Sequence, residues 1–463
     1  MIYADYLKNY QEKIKLFKST NSISDKTLSS LIFVIDEIDF SSILNNIQNK
    51  EKTYFYTKQL SEKTVFLGYD SIFEIKSSGN ARLEETEKIV AKFESNFISN
   101  WNEFGIESIP LFLGGMTFSV DKDKGLWNDF SDSEWFIPKF LFFETNNTPY
   151  LVYNILGNNF SDNTINSDLE ILKSLIQSKT NNDETIGRIS VSSNGAKKSV
   201  YIENVNKALN EIESGKVQKI VLSRQIDLEL EENINISSVL DTLGKRYPRC
   251  YVFAFSKNNS IFFGASPEKL AKISNGWIEA DALAGSISRG KTVDEDEKLA
   301  ETLLASEKDL AEQSIVVSFI RDSFTQFCSE IVFDEKPIIR KLPNIQHLWT
   351  PIKGKVNPNQ SIFTILKDLH PTPAICGVPW DVALNSIKEM EPHNRGLFSG
   401  MIGWFNLKNE GEFAVAIRSA LLKGKELYAF AGCGIVQGSD PEIEYAESEL
   451  KLKPIISLFE ILE

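Results

Sequence analysis

The stretch AGCGIVQGSDPEIEYAESELK, residues Ala431–Lys451, joins a glycine-rich apolar run to a strongly acidic segment. Asp440 followed by Pro441 predicts the start of a helix. An aspartate can cap the first turn, and proline lacks only an N–H that has no intrahelical partner there. The stretch therefore predicts a strand, a glycine-containing turn and a capped helix in succession.

The predicted helix places charged residues on one of its faces. At about 100° per residue, Glu444, Glu447 and Lys451 fall on the same side. Two carboxylates and an ammonium in this arrangement could hold a hard metal ion together with an anionic ligand. The alternative is a solvated helix in which Glu447 and Lys451 form an ordinary i, i+4 ion pair.

The composition is that of a folded globular protein. The chain has 463 residues, of which 42% are hydrophobic and 25% charged, and its net charge is −14. The acidic balance argues against nucleic acid or an anionic membrane surface as a general partner. It leaves an anionic small-molecule substrate open, because a site can be locally basic.

Neither the N-terminus nor the cysteines indicate export. The opening residues MIYADYLKNYQEKIKLFKS contain no apolar signal region, and no apolar run is long enough to cross a bilayer. The cysteines have no CxxC spacing, which predicts reduced thiols in a cytoplasmic protein. They are Cys250, Cys328, Cys376 and Cys433.

The pattern along the chain predicts antiparallel sheets covered by helices. Apolar runs alternate with a helical stretch at 83–101 in the first part, and a long helix is predicted from Asp294 to Phe327. Residues 145–199 are rich in Asn, Ser, Thr and Asp and predict surface connections.

One acidic residue of the predicted long helix is out of place. Glu312 stands at the head of an apolar stripe formed by Ile315, Val316 and Phe319. A carboxylate on a buried face is costly unless it is paired or binds a metal. Lys308, one turn earlier, is the alternative partner.

Two basic residues occupy apolar strands. In GEFAVAIRSALL, residues 411–422, the strand period places Arg418 beside Ala414 and Ala416, where its guanidinium has room to bind a carboxylate. In KIVLSR, Lys219 begins a strand and is predicted to point inward. Solvated edge positions are the alternative for both side chains.

Taken together, these segments resemble the chorismate-utilising enzymes, a family that includes anthranilate synthase component I, aminodeoxychorismate synthase component I, isochorismate synthase and salicylate synthase. The resemblance covers about residues 201–454 in the family's order, and more loosely PLFLGGMTF and WFIPKFLFF near the N-terminus. The motifs are KIVLSR, FFGASPEKL, DALAGSISRG, SEKDLAEQSIVV, QHLWTPIKGKV, LHPTPAICGVPW, EPHNRGLFSGMIGW, FAVAIRSALL and the opening stretch.

The resemblance implies a Mg2+ site and a binding site for chorismate. By resemblance Glu312 and Glu447 are the metal ligands, with Glu444 beside them. Backbone N–H groups around Gly432 and Gly434 then help to hold the ring carboxylate of chorismate, which glycine permits because it lets the backbone approach an anion closely.

The resemblance also implies the remaining residues of the site. Lys451 and Arg418 are expected to bind carboxylate groups, and His347 is expected to line the ring site. Lys219 matches the base that activates water. Glu268 matches the acid that protonates the leaving hydroxyl, in an apolar setting that would keep it protonated.

Within the family, two positions indicate the isochorismate synthase branch. Ammonia-using members carry glutamine where this chain has Lys219, and the aminodeoxychorismate branch carries a nucleophilic lysine where this chain has Ala284. The Leu-Leu-Glu-Ser feedback signature of anthranilate synthases is absent from the N-terminal half. Gln313 departs from the family's usual histidine, so altered tuning of a retained metal site is expected.

Three alternatives to an isochorismate synthase of the menaquinone or siderophore pathways remain open. A salicylate synthase would add pyruvate elimination to isochorismate formation. An anthranilate synthase-like enzyme would add ammonia. A degenerate relative would bind chorismate or a glutaminase without turnover.

The fold implied by the family is a large α/β (α+β) sandwich of two packed antiparallel sheets with helices outside. Residues 1–200 would form its N-terminal part and residues 201–463 the chorismate-binding catalytic region, intertwined as one domain. Chorismate and Mg2+ are the expected ligands. No obligatory glutaminase subunit is expected, and the predicted assembly is a monomer or weak dimer.

Overall fold

The computed structural model describes residues 2–48, 50–106, 108–176, 186–191 and 197–461. The helices within these ranges are α1 (Ile2–Thr20), α2 (Phe40–Ile47), α3 (Arg82–Glu94), α4 (Asp162–Ile176), α5 (Lys198–Glu213), α6 (Ile236–Arg246), α7 (Val293–Ala305), α8 (Glu307–Phe327), α9 (Ile362–Leu369), α10 (Trp380–Met390) and α11 (Pro441–Ile456).

The strands within the same ranges are β1 (Leu28–Val34), β2 (Tyr54–Gln59), β3 (Thr64–Ser77), β4 (Phe97–Ser99), β5 (Phe112–Met116), β6 (Ser133–Thr145), β7 (Thr148–Leu156), β8 (Arg188–Val191), β9 (Lys219–Leu230), β10 (Tyr251–Lys257), β11 (Ser260–Ser266), β12 (Lys269–Ser274), β13 (Trp277–Ser288), β14 (Cys328–Val332), β15 (Ile338–Lys341), β16 (Ile345–Val356), β17 (Gly377–Val378), β18 (Met401–Phe405), β19 (Gly411–Val415), β20 (Ser419–Lys423), β21 (Glu426–Ile435) and β22 (Glu460–Ile461).

Hydrogen bonds join the described strands into one continuous sheet. Its pairings are antiparallel except for β1 with β4 and β8 with β22. Strands from both parts of the chain alternate within it, since β2 pairs with β10 and β5 pairs with β18. The sheet is thus assembled from segments that are far apart in sequence.

The sheet curls so that two of its parts face each other. Phe136 on β6 stacks on Phe255 on β10, with ring centroids 6.3 Å apart, although β2 and β3 lie between these strands in the sheet. Along β10, Phe253 and Phe255 enter this core, whereas Val252 and Ala254 enter a second core that includes residues of α1, α2, α4 and α6. The predicted mixed α/β fold is confirmed, and its two packed layers are parts of one sheet.

The predicted long helix is two helices, α7 and α8, separated at Ser306. The serine has an extended backbone, and its side chain accepts a hydrogen bond from the N–H of Asp309, which starts a new helix. The predicted helix at 83–101 is also too long. It ends at Glu94, because residues 97–99 pair with β1 as strand β4.

The predicted strand at 411–422 is interrupted. Strand β19 ends at Val415 and β20 begins at Ser419, with Arg418 between them in the left-handed region at φ 54°. The alternation that placed Arg418 beside Ala414 and Ala416 is therefore wrong, because the period of two requires an extended backbone.

The predicted connecting region at 145–199 contains regular structure, namely β7, α4 and β8. Residues 177–185 and 192–196 of that region lie outside the described residues. Among the described residues, no helix combines the length and the hydropathy that a bilayer crossing requires.

Candidate active site

Elements of the C-terminal region line a cavity. Strands β9, β13, β16 and β21 and helices α8 and α11 contribute to its wall. Nine of the residues that the sequence analysis singled out line it: Glu268, Ala284, Glu312, His347, Arg418, Gly432, Gly434, Glu447 and Lys451. Lys219 and Glu444 lie directly behind this wall, in contact with other residues of the site.

The pairing of β9 with β21 directs two glycine N–H groups out of the ladder. Val221 and Ser223 on β9 face Gly434 and Gly432 on β21. The N–H groups of Val221 and Ser223 point away from β21, to acceptors at 2.7 and 2.6 Å. In an antiparallel sheet, when one of two opposed residues points its N–H away from the partner strand, the residue opposite it does the same. The two glycine N–H groups therefore point to the side where Lys451 Nζ donates to Gly432 O, at 3.0 Å.

Gly434 leaves space for an ion pair between β9 and α8. A Cβ at this position would lie 2.3 Å from Glu312 Oε1 and 2.8 Å from Lys219 Cε. Lys219 is fully buried, and its Nζ lies 2.8 Å from Glu312 Oε1 without the angles of a hydrogen bond. The alternative partner for Glu312, Lys308, is wrong, because Lys308 instead pairs with Glu444 at 2.7 Å.

Helix α11 begins as predicted and carries its charges inward. Asp440 accepts hydrogen bonds from two N–H groups of the first turn, and Pro441 is the first helical residue. Glu444 is 1% exposed, so the solvated alternative for this face is wrong. The i, i+4 pair between Glu447 and Lys451 does form, at 2.6 Å, but it forms at the cavity wall.

The two glutamates of α11 have opposite electrostatic settings. Burial, with the neighbouring Glu447, raises the pKa of Glu444. Burial also opposes the charge of Glu447, but the cations Lys451, Lys308 and Arg418 together outweigh it and lower the pKa of Glu447. Oxygens of both carboxylates and the Cys433 sulfur lie within 4.8 Å of one another. This cluster offers ligand atoms to a cation.

Glu268 is a carboxyl group held in a poorly solvated place. It is 3% exposed, and its N–H donates to Ser266 Oγ at 3.2 Å. Burial, with the nearby charge of Asp281, raises the pKa of Glu268 to about 8. The sequence indicated the apolar setting, through Ala265 and Pro267, but gave no sign of Asp281.

His347 and Arg418 are joined by a hydrogen bond that fixes the histidine tautomer. Arg418 Nη2 lies 3.3 Å from His347 Nε2, and a guanidinium can only donate. Nε2 therefore accepts, and Nδ1 carries the hydrogen; Nδ1 lies 2.9 Å from Ser286 Oγ and 3.3 Å from Gly285 O, which can both accept it. Burial, with the Arg418 charge, lowers the pKa of His347 well below its usual value. The histidine is thus neutral and orients the arginine at the cavity.

The surroundings of Ala284 and Gln313 could not be predicted from the sequence. Ala284 lines the cavity at an irregularity in the pairing of β13 with β16, next to Gly285 at φ 71°. Gln313 is buried, and its Nε2 donates to Ala282 O and Thr350 Oγ1 at 3.0 and 3.2 Å. The amide therefore binds the sheet.

The sequence analysis missed four polar residues of the cavity wall, namely Ser223, Ser286, Arg395 and Ser399. Arg395 is 3% exposed and binds Glu391 through two nitrogens, at 2.5 and 2.8 Å. The i, i+4 spacing of this glutamate and arginine within EPHNRGLFSGMIGW was the available signal. An exposed helical pair would have given the same spacing.

Comparisons with known proteins identify relatives of this chain. The family model described as chorismate binding enzyme matches residues 13–460. Isochorismate synthase MenF of Bacillus subtilis is 32% identical over 459 residues, which cover 96% of each chain. The salicylate biosynthesis isochorismate synthase of Pseudomonas aeruginosa is 38% identical over 248 residues, 54% of this chain and 52% of that protein.

Solved structures show the same fold. MenF, the menaquinone-specific isochorismate synthase from Escherichia coli, superposes with a TM-score of 0.80 at 22% identity, covering 98% of this chain and 99% of that chain. Anthranilate synthase component I from Streptococcus pneumoniae gives a TM-score of 0.70 at 21% identity, covering 84% and 91%. At these identities the likeness concerns the fold alone.

Proposed function

Because this chain belongs to the chorismate-binding enzyme family, we propose that it is an isochorismate synthase, which converts chorismate to isochorismate. In this reaction water adds at ring position 2, the ring double bonds shift, and the hydroxyl at position 4 leaves as water. The relative that is 32% identical over 96% of both chains supports this choice within the family.

The main support for the proposal is that a candidate acid, a candidate base and two cationic side chains lie at one cavity. Glu268, Arg418 and Lys451 line it, and Lys219 contacts Glu312 in its wall. Chorismate carries two carboxylates, and the two cationic side chains give each of them a partner. Ala284 has no group that could attack the ring, and Lys219 stands where the ammonia-using members carry glutamine, so water is the proposed nucleophile.

A divalent cation fits the acidic part of this cavity. Glu312 and Glu447 both line it, and Glu444 lies close behind in a cluster with Glu447 and Cys433 that does not include Glu312. Carboxylate oxygens are the ligands that Mg2+ prefers. We assign Glu312 and Glu447 as its ligands, with Glu444 held beside them by Lys308. When bound, Mg2+ supplies positive charge that attracts a substrate carboxylate and gives Glu312 a counter-ion other than Lys219.

The residues of the chain then divide the proton transfers between them. Lys219 is assigned to accept a proton from the attacking water. Glu268, with its raised pKa, is protonated at neutral pH and gives its proton to the leaving hydroxyl. Arg418 and Lys451 hold carboxylates, and neutral His347 keeps the Arg418 guanidinium aimed at the cavity. One proton is taken up and one released, so the reaction is balanced and reversible.

Water as nucleophile also bears on partners. An enzyme of this type needs no ammonia, and we therefore infer that no glutaminase subunit is required. The cytoplasmic location, the monomer or weak dimer, and the menaquinone or siderophore pathway remain predictions from the sequence.

The direct test is product analysis. Purified protein is incubated at length with chorismate and Mg2+, and the mixture is separated by chromatography. We expect a stable mixture of chorismate and isochorismate, reached from either compound. Stoichiometric salicylate and pyruvate would favour a salicylate synthase, anthranilate formed with ammonium would favour an aminating enzyme, and unchanged chorismate would indicate binding without turnover.

A further inference from the structure

Ser223 is a polar side chain of the cavity to which the reaction described above gives no role. It lies on β9, two residues after Val221, and both side chains line the cavity because alternate strand residues share a face. Ser223 is 5% exposed and lies opposite Gly432. Its hydroxyl is therefore close to the glycine backbone that turns toward the cavity.

A buried network holds Ser223 in place from behind. Its N–H donates to Glu391 Oε1 at 2.6 Å, and its Oγ lies 3.1 Å from His393 Nε2. Glu391 is itself fixed by two hydrogen bonds from Arg395. The Arg395 guanidinium also donates to the carbonyl of Val221 at 2.7 Å. The serine and its partners thus form one connected polar unit.

The hydrogen of His393 can be assigned from its neighbours. The side chain is 7% exposed, and burial lowers its pKa, so the ring is neutral and carries one N–H. Nε2 lies 3.8 Å from Glu391 Oε2, and this negative charge favours the N–H at Nε2. Nδ1 is buried with no hydrogen-bond partner among the described residues, which suits a bare lone pair better than an N–H.

With the N–H at Nε2, His393 donates to Ser223 Oγ, and the serine keeps its own hydrogen for another acceptor. The cavity in front of it is the place proposed for a dianionic substrate. We propose that Ser223 donates a hydrogen bond to a carboxylate oxygen of bound chorismate, and that His393 is the positioning residue that fixes the direction of this hydroxyl. This inference rests on the proposed function and adds a substrate-binding residue to it.

Steady-state kinetics of Ser223→Ala test the proposal. A hydrogen bond to a charged acceptor predicts that KM for chorismate rises about tenfold or more. The value of kcat should change less than about threefold, because the contact exists before and during reaction. Ser237→Ala, at a 4% exposed serine of α6 that does not line the cavity, is the matched control and should leave KM unchanged.

The role of His393 is tested by a double-mutant cycle. His393→Phe as a single substitution should raise KM for chorismate, but it should not raise KM further when Ser223→Ala is already present. His393→Gln, whose amide can replace the Nε2 donor, should have a KM for chorismate close to that of the unmodified enzyme. Additive effects of the two substitutions would overturn the positioning role, and so would equal KM values for the phenylalanine and glutamine variants.

The proposal and the function on which it rests fail separately. If the unmodified protein forms no isochorismate, the proposed function falls. If it does form isochorismate and Ser223→Ala keeps its KM, the serine contact falls while the function stands. Thermal melting identifies any variant that is poorly folded. If Ser223→Ala is poorly folded, Ser223→Thr, which retains a hydroxyl, is compared with Ser223→Val, which does not. The threonine variant must then have the lower KM for chorismate, or the proposal is overturned.

Discussion

The region around Lys139 and the cavity both bury charged side chains, and they differ in how completely the charges are paired. Near the N-terminal strands, Lys139 Nζ lies 3.2 Å from Asp70 and 2.9 Å from Asp168. The other oxygen of Asp168 accepts a hydrogen bond from the Tyr153 hydroxyl at 2.7 Å. We call these four residues the Lys139 cluster, and each of its charges has a well-placed partner.

At the cavity the pairing is incomplete. Among the described residues, the Glu268 carboxyl has no ion pair, and Lys219 meets Glu312 without hydrogen-bond geometry. A buried charge without full compensation is costly, so such a group is retained where it serves a ligand or a reaction. Complete pairing thus distinguishes the Lys139 cluster from Lys219 and Glu268 at the cavity, where the pairing is incomplete.

The largest expected effect is at the carboxylates assigned to Mg2+. Glu312→Ala and Glu447→Ala should each lower turnover about a thousandfold or more, because a catalytic metal contributes several kcal/mol to the transition state. Excess chelator should abolish turnover by the unmodified enzyme. Glu279→Ala, at a 40% exposed ion-paired carboxylate, is the control and should keep its activity. Full activity in chelator would refute the metal assignment.

Lys219→Gln should remove the base while leaving substrate binding largely intact. The expected loss in kcat is about 100-fold to 10,000-fold, the usual contribution of a general base. Chorismate affinity, measured by titration, should change little. Lys353→Gln, at a lysine that is 49% exposed, serves as the control. A variant that keeps its kcat would place the base elsewhere.

The Glu268 acid predicts the alkaline limb of the pH profile. An acid with a pKa of about 8 is mostly protonated at pH 7 and loses its proton as the pH rises through 8. The kcat/KM of the unmodified enzyme should therefore fall above about pH 8. Glu268→Gln should lose about 100-fold in kcat/KM or more and lack this limb. If the limb persists at the same pH in the variant, another group is responsible.

Gly434→Ala tests the incomplete pairing without removing a charge. The new Cβ would lie 2.3 Å from Glu312 Oε1, so the carboxylate or Lys219 must move. A displacement of about 1 Å predicts roughly a 100-fold loss of kcat/KM. Gly244→Ala in α6 is the control, since the nearest heavy atom to its Cβ would be 3.8 Å away. Equal activity of both variants would show that the Glu312 contact is not essential.

Asp168→Ala breaks the fully paired cluster and should have the smallest effect on activity. It leaves the Tyr153 hydroxyl without its partner and Lys139 with Asp70 alone, which predicts a loss of about 3 kcal/mol in the free energy of unfolding. The kcat/KM of the folded enzyme should stay within about twofold. Denaturant unfolding and kinetics on the same preparation check both values. A large kinetic loss at full stability would contradict the division between the two regions.

The local parts of the site could be predicted from the sequence. The Asp440 cap and the face shared by Glu444, Glu447 and Lys451 follow from the period of a helix, and the inward direction of Lys219 agrees with the period of a strand. These properties depend on neighbouring residues within one element. The mixed α/β class was equally accessible, because the motifs occur in the family's order.

Other features depended on contacts between distant segments. The spacing in the sequence predicted Lys308 as the ion-pair partner of Glu312. In the fold Lys308 pairs with Glu444, and Glu312 pairs with Lys219 of strand β9. The end of strand β19 before Arg418 was likewise hidden, because the residues there alternate as in an uninterrupted strand.

The amino-acid sequence was sufficient to show which side chains could do chemistry and, where a helix or strand is uninterrupted, which of its faces they occupy, because side-chain direction follows the backbone period of a single element. Which of these side chains meet depended on the tertiary structure. It placed Asp281 near Glu268 and His393 behind Ser223, and it set the pKa of Glu268 through burial. Pairing and desolvation depend on distances between separate elements, and those distances exist only once the sheet has curled and the helices have packed against it.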